Sequence, residues 1–225
     1  MGESTQVAGA VVVTGLVPED PAAWHTESSE LLHPWEREQS RQFTRETRAR
    51  YVHVHVAAHL WAAGVLGVEP GAVEITRRPC LRCRAEHGAP QVVVDGHSSY
   101  FSTTRTGRHY AFALSSRPVG VDLETIRSTL DVDAVAHVAC SDTERAHLAG
   151  LSPAHARATF FRWWAAKEAV TKATGHGLKA DFRTVVASGT DASSTWEFDG
   201  TAWHVAEVRV DGSDVVGAVA VPPSS

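Results

Sequence analysis

The six residues Val119-Gly120-Val121-Asp122-Leu123-Glu124 alternate apolar side chains with a glycine and two acids. That alternation constrains the fold more than any other stretch. A strand with this pattern buries Val119, Val121 and Leu123 on one face and sets Asp122 and Glu124 together on the other. Two carboxylates on one strand face, roughly 6.5–7 Å apart at the backbone, repel each other unless a cation joins them. About forty residues later the chain reads Trp164-Ala-Ala-Lys-Glu-Ala-Val-Thr-Lys172-Ala-Thr-Gly175. Its spacing predicts a helix in which Glu168 and Lys172, four apart, project from one face. A fold that packs this helix on that strand gathers three carboxylates and one ammonium.

The choice of lysine carries information of its own. The chain has three lysines, Lys167, Lys172 and Lys179, against eighteen arginines, and all three lie in or just after this helix. A lysine offers a compact, mobile ammonium where arginine offers a planar fork. Carboxylates beside an ammonium suit metal-assisted phosphate chemistry: magnesium takes one or two protein carboxylates and completes its shell with water and phosphate oxygens. Taken alone, an Asp-x-Glu is most often a solvated strand face; the pairing of the two segments is what points to chemistry.

The remainder reads as mixed strands and helices. A short strand is expected at 10–13, and a long helical pattern at 34–66 breaks near Phe43-Thr44 into two helices. Arg37, Arg41, Arg45 and Arg48 recur three or four apart and predict one arginine-rich face, either simply solvated or a rim for phosphate. Residues 71–90 are loop-rich with a strand at 72–76, and strands at 92–94 and 110–114 follow. Ser141-Asp-Thr-Glu144 is a capping box opening a helix toward Leu148. Ser152-Pro153 starts the next helix and Gly175 ends it. Beyond Lys179 the pattern is β, at 185–187, 195–198, 202–210 and 215–221, with Asp211-Gly212 as a hairpin turn. The order of strands and helices in the two halves is loosely similar.

Composition narrows the function classes. A net charge of −5 argues against a broad nucleic-acid surface while leaving room for a local basic pocket. No apolar run approaches the roughly 20 residues of a membrane-spanning helix. The first residues lack a secretory signal pattern, so a cytoplasmic protein is expected. Three cysteines point to reduced thiols rather than a disulfide framework. Cys80-x2-Cys83 followed by His87 has metal-like spacing but wants a fourth ligand, which Cys140 or a distant histidine could supply; a plain loop with reduced thiols is the alternative. His55 and His59 are four apart without a His-Glu-x-x-His pattern and read as ordinary helix histidines.

Gly120-Val-Asp-Leu-Glu124 together with Trp164-x-x-Lys-Glu-Ala-x-x-x-Lys172 resembles the paired signature of the 4′-phosphopantetheinyl transferases. The length is similar to that of their monomeric, surfactin-type branch. The resemblance implies an α+β fold of two similar α/β half-domains in pseudo-twofold arrangement, and it spans the chain from Trp35 to the final strands. Residues 1–117 would carry a coenzyme A phosphate rim and the carrier-docking surface, and 118–225 the metal and catalytic motifs. In the family a carrier-protein serine attacks the β-phosphate of magnesium-bound coenzyme A, and 3′,5′-bisphosphoadenosine leaves. By resemblance Asp122, Glu124 and Glu168 are metal ligands, Glu168 is also the general base, and Lys172 contacts the transferring phosphate. Arg50 matches an arginine for the nucleotide 3′-phosphate, Lys167 a lysine of lesser role, and Trp164 core beneath the site.

Two departures from the family pattern stand out. The usual Gly-Lys-Pro reads Gly88-Ala89-Pro90, and the usual Asn-x-Ser-His-Ser aligns with Ser102-Thr-Thr-Arg-Thr106. Thr104 would replace a serine hydroxyl and Arg105 the pyrophosphate-binding histidine, with permanent charge and longer reach. The expectation is magnesium-dependent modification of an apo acyl- or peptidyl-carrier protein in polyketide, nonribosomal-peptide or fatty-acid synthesis. An acidic carrier helix would dock on the arginine-rich surface. The alternative is a repurposed relative with an altered coenzyme A site, acting on another small or carrier-tethered substrate or only as a binding partner.

Overall fold

The computed structural model describes residues 2–19, 28–81, 83–85, 88–177, 180–187, 193–210 and 214–223. Two antiparallel sheets stack face to face, each backed by one long helix. In the first sheet the order is β1 (Thr5–Val7), β2 (Ala10–Leu16), β6 (His109–Ser115), β5 (His97–Thr106), β4 (Pro90–Val94) and β3 (Glu74–Arg77). In the second it is β7 (Gly120–Thr125), β11 (Val215–Val221), β10 (Thr201–Glu207), β9 (Ser193–Phe198) and β8 (Val186–Ala187). Helices α1 (Pro34–Arg41) and α2 (Arg45–Leu66) follow β2, and α3 (Val132–Ala139), α4 (Asp142–Ala149) and α5 (Pro153–Thr174) follow β7. The architecture is α+β. No described helix is long and apolar enough to cross a membrane.

Strand alternation builds the layers. On β6, Phe112 and Leu114 face α2 and pack on Val54, Ala58, Trp61 and Ala62. Ala111 and Ala113 face the other way, meeting Val121 and Leu123 of the second sheet and Val119 just before it. On β11, Val219 and Val221 join that inter-sheet core, while Ala218 and Ala220 pack with Ala165, Ala169 and Val170 of α5. The order is therefore helix, sheet, sheet, helix, with small residues wherever two layers approach closely. Gly120 is the tightest such point: a Cβ there would fall 1.9 Å from the Ala169 carbonyl oxygen. Only glycine lets α5 cross β7 at this depth.

Cap chemistry fixes the ends of α5. Ser152 accepts the His155 N–H, Pro153 occupies the first turn, and Gly175 closes the helix at φ 81°. The Ser141–Glu144 capping box is formed at α4. The α1–α2 break falls at residues 42–44, which divides the expected arginine face: Arg37 and Arg41 lie on one helix, Arg45 and Arg48 on the next. The Asp211-Gly212 turn lies outside the described residues.

A polar seam joins the two sheets. β7 is an edge strand, paired on one side with β11. On its other side the N–H groups of Val121, Leu123 and Thr125 donate to the hydroxyls of Ser102, Thr104 and Thr106 at 3.0, 3.3 and 3.3 Å. Three β5 hydroxyls, two residues apart, thus satisfy three β7 amides, two residues apart, and the open edge is closed by side chains instead of another strand. Sequence pattern predicts no strand at β5, because Ser98-Ser99 and Ser102-Thr-Thr-Arg-Thr106 lack apolar alternation. That polarity is what the seam uses. β1 and α3 were likewise not anticipated.

Candidate active site

The crossing of α5 over β7 brings the two sequence segments together. The Lys172 ammonium lies 2.6 Å from Asp122 Oδ1 and 3.9 Å from Glu168 Oε2, and it also donates to the Val121 carbonyl at 3.3 Å. Asp122 is buried, and its Oδ1 accepts a second hydrogen bond from Thr104 Oγ1 at 2.9 Å. Its Oδ2 is buried with no hydrogen-bond partner among the described residues.

The three carboxylates are all held against their ionisation. Burial pushes Asp122 up, and the opposing pull of Lys172 and Thr104 does not overcome it. Burial and then the charge of Asp122 raise Glu124. The same two causes lift Glu168 to about 7, although Lys172 pulls it back. Trp164 beside them pulls both Glu124 and Glu168 slightly back toward ionisation. The Trp164 ring itself packs on Phe160 and Phe182.

These features fit a divalent cation in chemistry. Asp122 and Glu168 share the Lys172 ammonium, Glu124 has Arg127 at 3.9 Å, and the buried Asp122 Oδ2 lacks a partner among the described residues. As the side chains stand, no group of three His, Cys, Asp or Glu among the described residues is arranged to hold a metal ion. Lys172 lies against Asp122 and close to Glu168.

Beside Lys172 opens a cleft of about 660 Å³, lined by Arg77, Cys80, Leu81, the Gly88-Ala89-Pro90 triplet, residues 101–103 and the α5 terminus at Gly175 to Gly177. Several expected ligand contacts lie elsewhere. Lys167 is buried, its ammonium donating to Glu144 Oε2 at 2.7 Å and to the Phe182 carbonyl at 2.8 Å, so it braces α4 against α5 and offers nothing to a phosphate. Thr104 is spent on Asp122 and Leu123 and positions the acid rather than a ligand. Arg105 is exposed on β5 and does not line the cleft. Arg50 also lies outside it and pairs with Glu46 at 2.7 Å. Cys80 lines the cleft, Cys83 is exposed and Cys140 is buried in the α3–α5 core; His87 lies outside the described residues. Arg77 and His176, neither singled out by the sequence, do line the cleft.

Residues 118–220, which include all four central side chains, match the 4′-phosphopantetheinyl transferase superfamily. This chain carries a 4′-phosphopantetheinyl transferase superfamily domain. It is 32% identical over 164 residues to the 4′-phosphopantetheinyl transferase HetI of Nostoc sp., covering 70% of this chain and 64% of that relative. The chain thus aligns with slightly less than two thirds of the relative's length. Among solved structures, Thermotoga maritima holo-[acyl-carrier-protein] synthase aligns with a TM-score of 0.39 and 19% identity, over 48% of this chain and 64% of the other. The superfamily match takes in the second sheet and α5, where the acids and Lys172 meet.

Proposed function

We propose that the protein transfers 4′-phosphopantetheine from coenzyme A to a serine of an apo carrier protein. The observation that carries this reading is the contact of Lys172, which lines the cleft, with Asp122 and its nearness to Glu168. Phosphoryl transfer asks for positioning and charge neutralisation more than covalent participation, and this cluster supplies both. Asp122, Glu124 and Glu168 are the residues that would hold magnesium, which when bound neutralises phosphate charge. Lys172, mobile and compact, is placed to contact the transferring phosphate.

Glu168 is the base of the reaction. Its carboxylate takes the serine proton as the serine oxygen bonds to the β-phosphorus of coenzyme A. The bond from that phosphorus to the bridging oxygen breaks, and 3′,5′-bisphosphoadenosine leaves with the bond's electrons. Without metal, burial and the charge of Asp122 hold Glu168 at about 7; bound magnesium would favour the carboxylate, the form that accepts a proton. Thr104 keeps Asp122 in place throughout.

Ligand linkage tests this reading. Coenzyme A with magnesium should raise Tm progressively with the logarithm of ligand concentration above Kd, and Asp122→Ala should abolish that rise without unfolding the chain. A wild-type protein whose melting is indifferent to coenzyme A and magnesium would count against it. Binding without turnover would favour the repurposed relative, the reading that the altered Gly88-Ala89-Pro90 triplet leaves open.

A further inference from the structure

The Gly88-Ala89-Pro90 triplet lines the cleft without a charge of its own. Its glycine has a backbone reason to be there. A Cβ on Gly88 would sit 2.6 Å from the Arg78 carbonyl oxygen and 2.9 Å from that of Pro79. Gly88 N–H donates to Arg78 and Arg78 N–H to Ala89, both at 2.9 Å. These contacts fix the loop but ask nothing of the side chain at position 89, which is free to be alanine if charge reaches the cleft from elsewhere.

Charge does reach it, from the neighbouring strand. Arg77 is the register partner of Pro90 across the β3–β4 ladder, one residue from Ala89, and lines the same cleft as Lys172 and His176. Its guanidinium donates to the Gly88 carbonyl at 3.2 Å and lies over the Trp35 ring at 5.2 Å. Trp35 is itself tied down, its indole N–H donating to the Ile75 carbonyl at 3.0 Å. The Arg77 side chain is therefore aimed by two contacts. They engage one N–H and one face of a group with five donors, leaving a fork suited to phosphate oxygens. Among the described residues Arg77 forms no ion pair with a carboxylate.

We propose that Arg77 is the donor-binding cation that replaces the lysine missing from the triplet, contacting a phosphate of coenzyme A from the β3 side of the cleft. This rests on the transferase reading for the identity of the donor, but it is tested through binding rather than turnover. Calorimetry would measure the Kd for coenzyme A with magnesium in wild type, Arg77→Gln, Arg77→Lys and the double variant Arg77→Gln/Ala89→Lys, with thermal melting of each checking that it folds. Loss of one charged hydrogen bond predicts about 10- to 100-fold weaker binding in Arg77→Gln. Arg77→Lys should fall between, and the double variant should recover most of the loss, because its lysine returns charge to the same cleft. A purely structural Arg77 would show no such rescue. Kd within twofold of wild type in Arg77→Gln, or a loss that Ala89→Lys does not relieve in folded protein, overturns the proposal. Coenzyme A binding without transfer to a carrier would defeat the transferase reading alone, the Arg77 series still being read from Kd. No coenzyme A binding by the wild type would defeat both.

Discussion

Asp122 is where the demands on single residues meet. One oxygen is held by Lys172 and Thr104 while the other is buried without a partner among the described residues. Thr104 matters twice, since its hydroxyl also accepts the Leu123 N–H. Thr104→Val keeps the shape and removes both bonds, so it should cost about 1–3 kcal/mol in urea unfolding and lower transfer by displacing the acid. Thr104→Ser should retain most of both. Equal losses in the two variants would mean that the hydroxyl is not what matters. The alternation at 119–124 and the four-residue step from Glu168 to Lys172 already grouped the four central side chains. The job of Thr104 was hidden because its bonds span eighteen and nineteen residues of sequence. Lys167 misled for the opposite reason: it neighbours Glu168 in sequence, but the next position on a helix turns about 100° away, here into the Glu144 contact.

At the scale of elements, β3 is held by a network that the helix histidines build around one acid. Glu36 of α1 is fully buried; its Oε1 lies 2.6 Å from His55 Nδ1 and its Oε2 3.0 Å from His59 Nε2. Glu36 also accepts the His33 N–H at 2.7 Å, closing the α1 capping box. His59 Nδ1 reaches the Val73 carbonyl at 3.1 Å, next to β3. Both of its ring nitrogens thus face acceptors. Burial alone would raise Glu36, but the hydrogen bonds and charge of His55 and His59 outweigh it and bring the carboxyl from 4.5 down to about 2. A folded-state value below the unfolded one stabilises the fold above about pH 4.5, and that stability is lost as pH falls toward 2. The shift corresponds to about 3 kcal/mol. Urea midpoints measured from pH 5 to pH 2 should therefore fall more steeply in wild type than in Glu36→Gln, and parallel curves would contradict the assignment. The sequence showed the helical spacing of His55 and His59 but not their partner, which lies on a different helix.

At the scale of the molecule, the two sheets share an apolar interface and the hydroxyl seam from β5 to β7. Neither sheet closes its core alone: Ala111 and Ala113 need Val121 and Leu123 opposite them. The chain should unfold in a single cooperative transition, with tryptophan fluorescence and far-ultraviolet circular dichroism coincident in urea. Two separated transitions would show that the sheets fold independently. Most of the elements around this interface were legible from periodicity and caps. The seam was not, because a strand that uses its serines and threonines to satisfy another strand's amides looks like a loop in sequence. The same seam ties Asp122 to β5, so the first sheet supports an acid that the second sheet carries. The central claim, that this arrangement transfers phosphopantetheine, is tested most directly by intact-mass spectrometry of an apo carrier protein incubated with the enzyme, coenzyme A and magnesium. The account predicts a mass gain of one phosphopantetheine on the carrier, lost on adding a chelator and reduced about 100- to 10,000-fold in rate by Glu168→Gln. An unchanged carrier mass across several carriers, with folded protein and a working control transferase alongside, would contradict it.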